Sequence, residues 1–211
     1  MQNLKNISVG FLVSFIGSIP LGYLNVIGFD IFNSSGLSAT VNYLLGVVFI
    51  EFFVILGTLL FANILHSNLK ILKFIEAFSV FFMFILAYVF YLNGISEQEN
   101  RTVFSIISHS FFISGIVLSC LNFIQIPFWL SWNLYLLNGN FIEISKHKKY
   151  FYIVGTITGT FAGMLVLILS LNYLALEFEF FKLFLFRFVF PFVFVGLGIF
   201  QGIKFYKKYF K

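Results

Sequence analysis

Glu51 is an acidic residue in the middle of a long apolar run, within GVVFIEFF from Gly46 to Phe53. A carboxylate at the centre of a bilayer costs about 2.5–3.5 kcal/mol on insertion scales. We therefore expect Glu51 to face the protein interior with a partner, or to be protonated. Such a group suits a proton carrier or a counter-ion for an amine substrate. The alternative is a protonated acid that makes one structural hydrogen bond.

Two prolines, Pro20 and Pro127, lie inside other apolar runs. Each lacks an N–H and should free the carbonyl four residues earlier, on Ile16 and on Phe123. Freed backbone groups at membrane depth must face protein or a water-filled cavity, so the paired breaks predict a substrate site near the midplane. A pair of packing kinks is the alternative. Amide side chains near the breaks could hold polar groups of the substrate, namely Asn25, Asn122 and Gln125.

Trp129 and Thr160 complete the predicted substrate site. Trp129, with Trp132 three positions later, could form a cation–π surface for an ammonium group, with core packing as the alternative. Thr160 follows Glu51 by 109 positions, an interval at which other features also recur. It lies in a run of glycines at four-residue intervals that should let another helix approach closely, namely Gly155, Gly159 and Gly163.

Enzymatic and metal chemistry has little to build on in this sequence. Cys120 is the one cysteine, so the chain alone can form neither an internal disulfide nor a two-thiol relay. His66, His109 and His147 have no metal-ligand spacing, and no nucleophile elbow or His-Glu-x-x-His motif is present. We expect no catalytic residue, no cofactor and no bound metal.

The composition predicts a membrane protein. Of 211 residues, 60% are hydrophobic and 10% are charged, which is more apolar surface than a soluble core of this length could bury. Six apolar runs approach or exceed the roughly 20 residues that span a bilayer. They cover 7–29, 38–65, 72–94, 109–138, 150–175 and 181–205. The expected fold is all-α, with six transmembrane helices in one domain over 1–211, and helices 1 and 4 are proline-broken near the midplane.

The basic residues predict the orientation. With six crossings, one side carries Arg101, Lys182 and Arg187, and the other carries ten lysines, which the positive-inside rule makes cytoplasmic. Both termini are then cytoplasmic, in a bacterial inner membrane. The positive-inside distribution thus explains the net charge of +5, and no nucleic-acid partner is needed to explain it. The expected partners are membrane lipid and a small-molecule substrate. The ten are Lys5, Lys70, Lys73, Lys146, Lys148, Lys149, Lys204, Lys207, Lys208 and Lys211.

Three local features recur at an interval near 108 residues. A duplicated unit explains this, with repeats at 7–95 and 109–205, and a chance match is the alternative. Because each unit has three spans, the second would be inserted in the opposite direction, as in many secondary transporters. The recurring features are Pro20 with Pro127, Gly46 with Gly155, and Asn93-Gly94-Ile95 with Gln201-Gly202-Ile203.

The chain resembles the LysE-type family of bacterial amino-acid exporters over nearly its whole length. The resemblance rests on GSIPLG at 17–22, on Gly46 with Glu51, on AYVFYLNGI at 87–95 and on 122–129. Where the family commonly has Pro-Gly-Pro-Asn, this chain has PLGY at 20–23, which leaves the substrate open. The resemblance implies a proton-linked exporter of amino acids or related metabolites, with an acidic group at the position of Glu51.

These patterns together favour a secondary transporter that exports a small amine-bearing solute, such as an amino acid, with proton coupling. An inorganic cation transporter is a weaker alternative, because such cations need several converging oxygen ligands or soft ligands, and one mid-membrane carboxylate is present. A membrane enzyme or assembly factor that does not transport is the third reading. The oligomeric state stays open, a homo-oligomer included.

Overall fold

The computed structural model describes residues 2–19, 22–60, 69–95, 110–145, 147–177 and 188–211. Within these ranges the regular structure is entirely helical, which confirms the predicted all-α class. The seven helices are α1 (Gln2–Ser18), α2 (Tyr23–Leu60), α3 (Leu69–Ile95), α4 (Phe111–Leu121), α5 (Gln125–Asn138), α6 (Lys148–Glu177) and α7 (Phe190–Phe210). Sequence features that fall outside the described residues include Pro20, His66, Arg101, His109, Lys146, Lys182 and Arg187.

Two helices in the described part of the chain are long and apolar enough to cross a membrane. These are α2 and the stretch of α6 from Lys148 to Leu174, and the bent pair of α4 and α5 makes a third if it is one span. The predicted membrane protein is confirmed at this level. Of the other predicted runs, 72–94 lies within α3, and 181–205 reaches the described residues only from 188 onward.

The first and fourth apolar runs are each interrupted. α1 ends at Ser18 and α2 begins at Tyr23, whereas α4 ends at Leu121 and α5 begins at Gln125 with a bend of 72°. Pro127 is the third residue of α5, so it follows the second break instead of forming it. Proline is tolerated in the first turn of a helix because the N–H groups there have no intrahelical partner.

Gly36 interrupts α2 between the first and second predicted apolar runs. Gly36 has φ 80° and ψ −175° inside α2, a conformation that residues with a Cβ rarely adopt. The Thr40 hydroxyl donates to the Gly36 carbonyl at 3.1 Å and so supports the turn. The residues between the first two predicted runs, 30–37, therefore belong to α2, which is interrupted there only at Gly36.

Glycines allow helices to pack closely at two crossings. Where α1 packs on α6, a Cβ on Gly10 would meet the Tyr152 carbonyl, and one on Gly155 would meet the Ile7 carbonyl. Gly159 and Gly163 meet the carbonyls of α1 in the same way, so the predicted packing role of this glycine run is confirmed.

The crossing of α2 with α4 is built alike. A Cβ on Gly46 would meet the Phe112 carbonyl, and one on Gly115 would meet the Tyr43 carbonyl. In sequence Gly115 follows Gly10 by 105 positions, and Gly155 follows Gly46 by 109. Small residues at both crossings let the backbones approach closely, which dispersion contacts then stabilise.

The chain continues as helix beyond the predicted end of the last run. Gln201-Gly202-Ile203 lies inside α7, which runs on to Phe210 and packs against α3. The helix thus extends five residues past 205, the predicted end of the sixth apolar run.

Asn6 fastens the connection between α5 and α6. Its buried side-chain amide donates to the carbonyls of Glu143 and Lys148 at 2.7 and 2.9 Å, and its Oδ1 accepts the Glu143 N–H at 3.3 Å. One side chain thus binds three backbone groups, two on Glu143 and one at the start of α6.

Candidate functional site

A cavity of about 430 Å³ lies between α1, α2, α5 and α6, with further lining from α3, α7 and the segment between α4 and α5, and we call it the Glu51 cavity. It gathers six of the eight residues proposed from the sequence. The other two are Pro20, which lies outside the described residues, and Pro127, which lines a neighbouring cavity. The six are Asn25, Glu51, Asn122, Gln125, Trp129 and Thr160.

Glu51 faces the protein interior and has a partner. It is 8% exposed, and its Oε1 accepts a hydrogen bond from the indole N–H of Trp129 at 3.1 Å. Its Oε2 is buried and accepts no hydrogen bond from the residues that the structure describes. A buried acceptor without a donor is costly, so this oxygen is the atom at which a proton or a ligand cation would be most stabilising.

Thr160 is a neighbour of the Glu51 carboxyl, and its hydroxyl is paired with that of Ser14 from α1. Both side chains are buried and both line the Glu51 cavity. The cavity therefore presents a carboxyl group from α2 and a hydroxyl pair from α1 and α6.

The two tryptophans do not border the same cavity. Trp129 is 2% exposed and lines the Glu51 cavity as the hydrogen-bond donor to the carboxyl, whereas Trp132 lines the neighbouring one. A shared cation–π surface, as proposed from their spacing, is therefore not formed. The indole N–H of Trp129 is the feature that the spacing did not suggest.

Two amides near the helix breaks act as local caps. The Asn25 side chain donates to the carbonyl of Ser18, the last residue of α1, at 2.9 Å. The Gln125 side chain donates to the Ser119 carbonyl, near the end of α4, at 2.8 Å. Asn25 thus binds a carbonyl at the end of α1, and Gln125 adds a second donor to the Ser119 carbonyl, which also accepts the Asn122 N–H at 3.1 Å.

The carbonyls expected to be free are hydrogen-bonded. The Ile16 carbonyl accepts the Ile19 N–H at 3.3 Å, and the Phe123 carbonyl accepts the Ile126 N–H at 3.2 Å. The prediction that the prolines leave both carbonyls unpaired is wrong, because each accepts the N–H of the residue three positions later. Asn122 supplies a polar atom instead, since its Oδ1 is buried without a donor in the described part of the chain.

Several buried polar side chains, of which Ser14 lines the Glu51 cavity, were not predicted from the sequence. Ser14 and Ser119 each follow a crossing glycine by four residues, after Gly10 and Gly115, and this small-x-x-x-small spacing was a usable signal. A buried network of Thr58, Asn133 and Tyr152 joins α2, α5 and α6, with hydrogen bonds of 3.0 and 2.8 Å to Asn133. No spacing rule connects three residues so distant in the chain.

A second cavity, of about 680 Å³, lies between α3, α5 and α7, and we call it the lysine cavity. Its wall shares Ile124 and Phe128 with the Glu51 cavity. The ring of Phe128 also lies 3.0 Å from the Cβ position of Gly17 on α1. Polar lining comes from Glu76, Ser131, Gln201, Lys204, Lys207 and Lys208.

Metal-ligating side chains do not cluster in the described ranges, where no group of three His, Cys, Asp or Glu residues comes together. No protein-family model, curated protein or solved structure matches the chain.

Proposed function

We propose that this chain is a secondary transporter that exports a small amine-bearing solute, of the amino-acid type, through the Glu51 cavity. One observation carries the proposal. Glu51 lies on a helix long enough to cross a membrane, lines a cavity, and has one carboxyl oxygen held by Trp129 while the other has no donor among the described residues. Ionisable groups inside membranes mark substrate or proton pathways.

The chemistry of the cavity favours an ammonium group. An –NH₃⁺ group has three donors, and the buried oxygens without donors in the described part of the chain include Glu51 Oε2 and Asn122 Oδ1. Both residues line the cavity. The volume of about 430 Å³ lies within the range of small-metabolite sites.

Proton coupling follows from the same carboxyl group. Protonated Glu51 is neutral, and an arriving ammonium group would displace the proton and pair with the carboxylate. When the substrate leaves on the other side, a proton returns to the carboxyl, because a bare carboxylate in an apolar cavity is costly. Proton and substrate thus bind alternately, which is antiport.

Six spans in two inverted repeats are part of the proposal. The helix breaks at 19–22 and 122–124 and the two similar glycine crossings support it. The distribution of lysines supports cytoplasmic termini in a bacterial inner membrane, and the resemblance at 17–22, 87–95 and 122–129 supports membership of the LysE-type family.

Transport by purified protein in liposomes tests the proposed function. With an imposed pH gradient and a panel of radiolabelled amino acids and small amines, we expect flux of at least one amine-bearing solute. Glu51→Gln should abolish that flux, whereas Glu143→Gln, on an exposed carboxyl outside the cavity, should leave it unchanged. Absence of flux for every solute in the panel would contradict the proposal.

A further inference from the structure

The lysine cavity has a net positive charge that the proposed transport function does not use. α7 contributes Gln201, Lys204, Lys207 and Lys208, spaced so that they share one side of the helix. The opposite wall is apolar and aromatic, from Ile124, Pro127, Phe128 and Trp132 of the segment that leads into α5 and of α5 itself.

Glu76 neutralises one of the three lysines. It is 8% exposed, and its Oε1 forms an ion pair with Lys208 Nζ at 2.6 Å, which joins α3 to α7. Lys204 and Lys207 form no ion pair with any residue in the described ranges. Two positive charges therefore remain in the cavity, and its low-dielectric wall strengthens their field.

We propose that the lysine cavity binds a phosphate group, brought by an anionic lipid headgroup or by a soluble phosphate ester. Lysine ammonium groups are compact point charges that bind phosphate without a fixed fork geometry. The Gln201 amide offers further donors to the same group. The Ser131 hydroxyl donates to the Pro127 carbonyl at 2.7 Å, so its proton is not available to a phosphate group.

The surroundings of the cavity suit a ligand with an apolar part. Exposed large side chains flank the lysines along α7, namely Phe200, Ile203 and Tyr206. Basic pockets between helices on the cytoplasmic side are typical sites for anionic headgroups. A phosphate in this cavity would also lie beside Ile124 and Phe128, which line both the lysine cavity and the Glu51 cavity.

The test measures binding directly and needs no transport. Purified protein in neutral detergent is titrated separately with phosphatidylglycerol and with glycerol phosphate, and binding is followed by native mass spectrometry and calorimetry. We expect Lys204→Gln with Lys207→Gln to weaken binding at least about tenfold, because each lysine near an anionic headgroup is worth about 1 kcal/mol. The matched control is Lys149→Gln with Lys211→Gln, which removes two charges outside the cavity.

The outcomes separate the sources of the phosphate. Binding of phosphatidylglycerol alone supports the proposal with a lipid headgroup, and binding of glycerol phosphate as well supports it with a soluble ester. Binding of neither ligand, or an equal loss in the control pair, overturns it. Lys204→Arg with Lys207→Arg should keep binding, and this shows that a loss in the glutamine pair reflects charge and not misfolding.

Discussion

The crossing of α1 with α6 and the crossing of α2 with α4 both pack glycines against carbonyls of the partner helix, but their polar side chains differ. Gly10 and Gly155 bring the first pair of helices together, and Gly115 and Gly46 bring the second pair together. About one turn further along, the first crossing has two hydroxyls that pair with each other, Ser14 and Thr160. The second has Ser119 and Glu51 at the corresponding places.

The difference lies in which polar atoms are satisfied. At the second crossing Ser119 donates to the Val47 carbonyl at 3.3 Å, and Glu51 turns to Trp129 of α5 instead. Its other oxygen stays without a donor among the described residues. Two similar packing units can therefore hold unlike groups in one cavity, and the carboxyl is the group with remaining binding capacity.

Replacing a glycine at a helix crossing by a large residue should destabilise the protein more than any other change considered below. Gly46→Leu and Gly155→Leu should each destabilise the fold by about 3 kcal/mol or more, because the new side chain would run into a carbonyl of the partner helix. Thermal unfolding in detergent measures this. Gly57→Leu is the control, since nothing lies within 4 Å of its Cβ position. Equal stability of Gly46→Leu and Gly57→Leu would contradict the described crossing.

Removing the donor to Glu51 should have a smaller effect. Trp129→Phe keeps the ring but deletes the indole N–H, and we expect the affinity for an amine substrate to fall about tenfold, the worth of one hydrogen bond to a charged group. Equilibrium binding of the labelled substrate measures it. Trp132→Phe serves as the matched control, because that ring lines the lysine cavity. If both variants bind equally well, Trp129 does not orient the carboxyl.

Removing a serine hydroxyl at each crossing shows how much the stability of that crossing depends on its side-chain hydrogen bond. Ser14→Ala should cost at least about 0.6 kcal/mol, the average for an interhelical hydrogen bond in a membrane, and at most about 1.7 kcal/mol, because Thr160 then loses its partner. Ser119→Ala should cost less, because its hydrogen bond to Val47 is long. Thermal unfolding midpoints of the two variants measure this difference. A larger loss of stability in Ser119→Ala than in Ser14→Ala would contradict the described hydrogen bonds.

The smallest effect concerns Glu143, an exposed carboxyl that contrasts with Glu51. The hydrogen bond from Lys148 at 2.6 Å, followed by the one from Ser145, lowers the pKa of Glu143. A lowered pKa in the folded state means that this pair stabilises the fold above the ordinary carboxyl pKa, and the stabilisation disappears as the pH falls through the lowered value. Glu143→Gln should slightly flatten stability against pH in this acidic range. A profile with the opposite slope would exclude the pair as its cause.

Part of the site could be predicted from the sequence, because the cost of a charged residue in an apolar run is visible in the residues next to it. Glu51 stands out in an apolar run, and the structure places it in a cavity with a partner. The interruption of the first and fourth runs also followed from the sequence. The position of the second break did not, because proline fits the first turn of a helix as well as it breaks one, and Pro127 does the former.

Other features depend on contacts that no local pattern contains. Asn25 and Gln125 cap helix ends because each break leaves a carbonyl within reach, which only the three-dimensional path determines. The ion pair of Glu76 with Lys208 joins residues 132 positions apart and defines the lysine cavity. Gly115 follows Gly10 by 105 positions and Gly155 follows Gly46 by 109, whereas Pro127 follows Pro20 by 107, so an interval taken from the prolines does not bring Gly10 onto Gly115.

The role of Glu51 is tested by proton release on substrate binding. Purified protein in weakly buffered detergent is mixed with an amine substrate, and the pH change is recorded beside the amount bound. If Glu51 exchanges a proton for an ammonium group, the wild-type protein releases protons in proportion to the amine bound, and Glu51→Gln releases none. Equal proton release by both proteins, or amine binding without release, would contradict this role of Glu51.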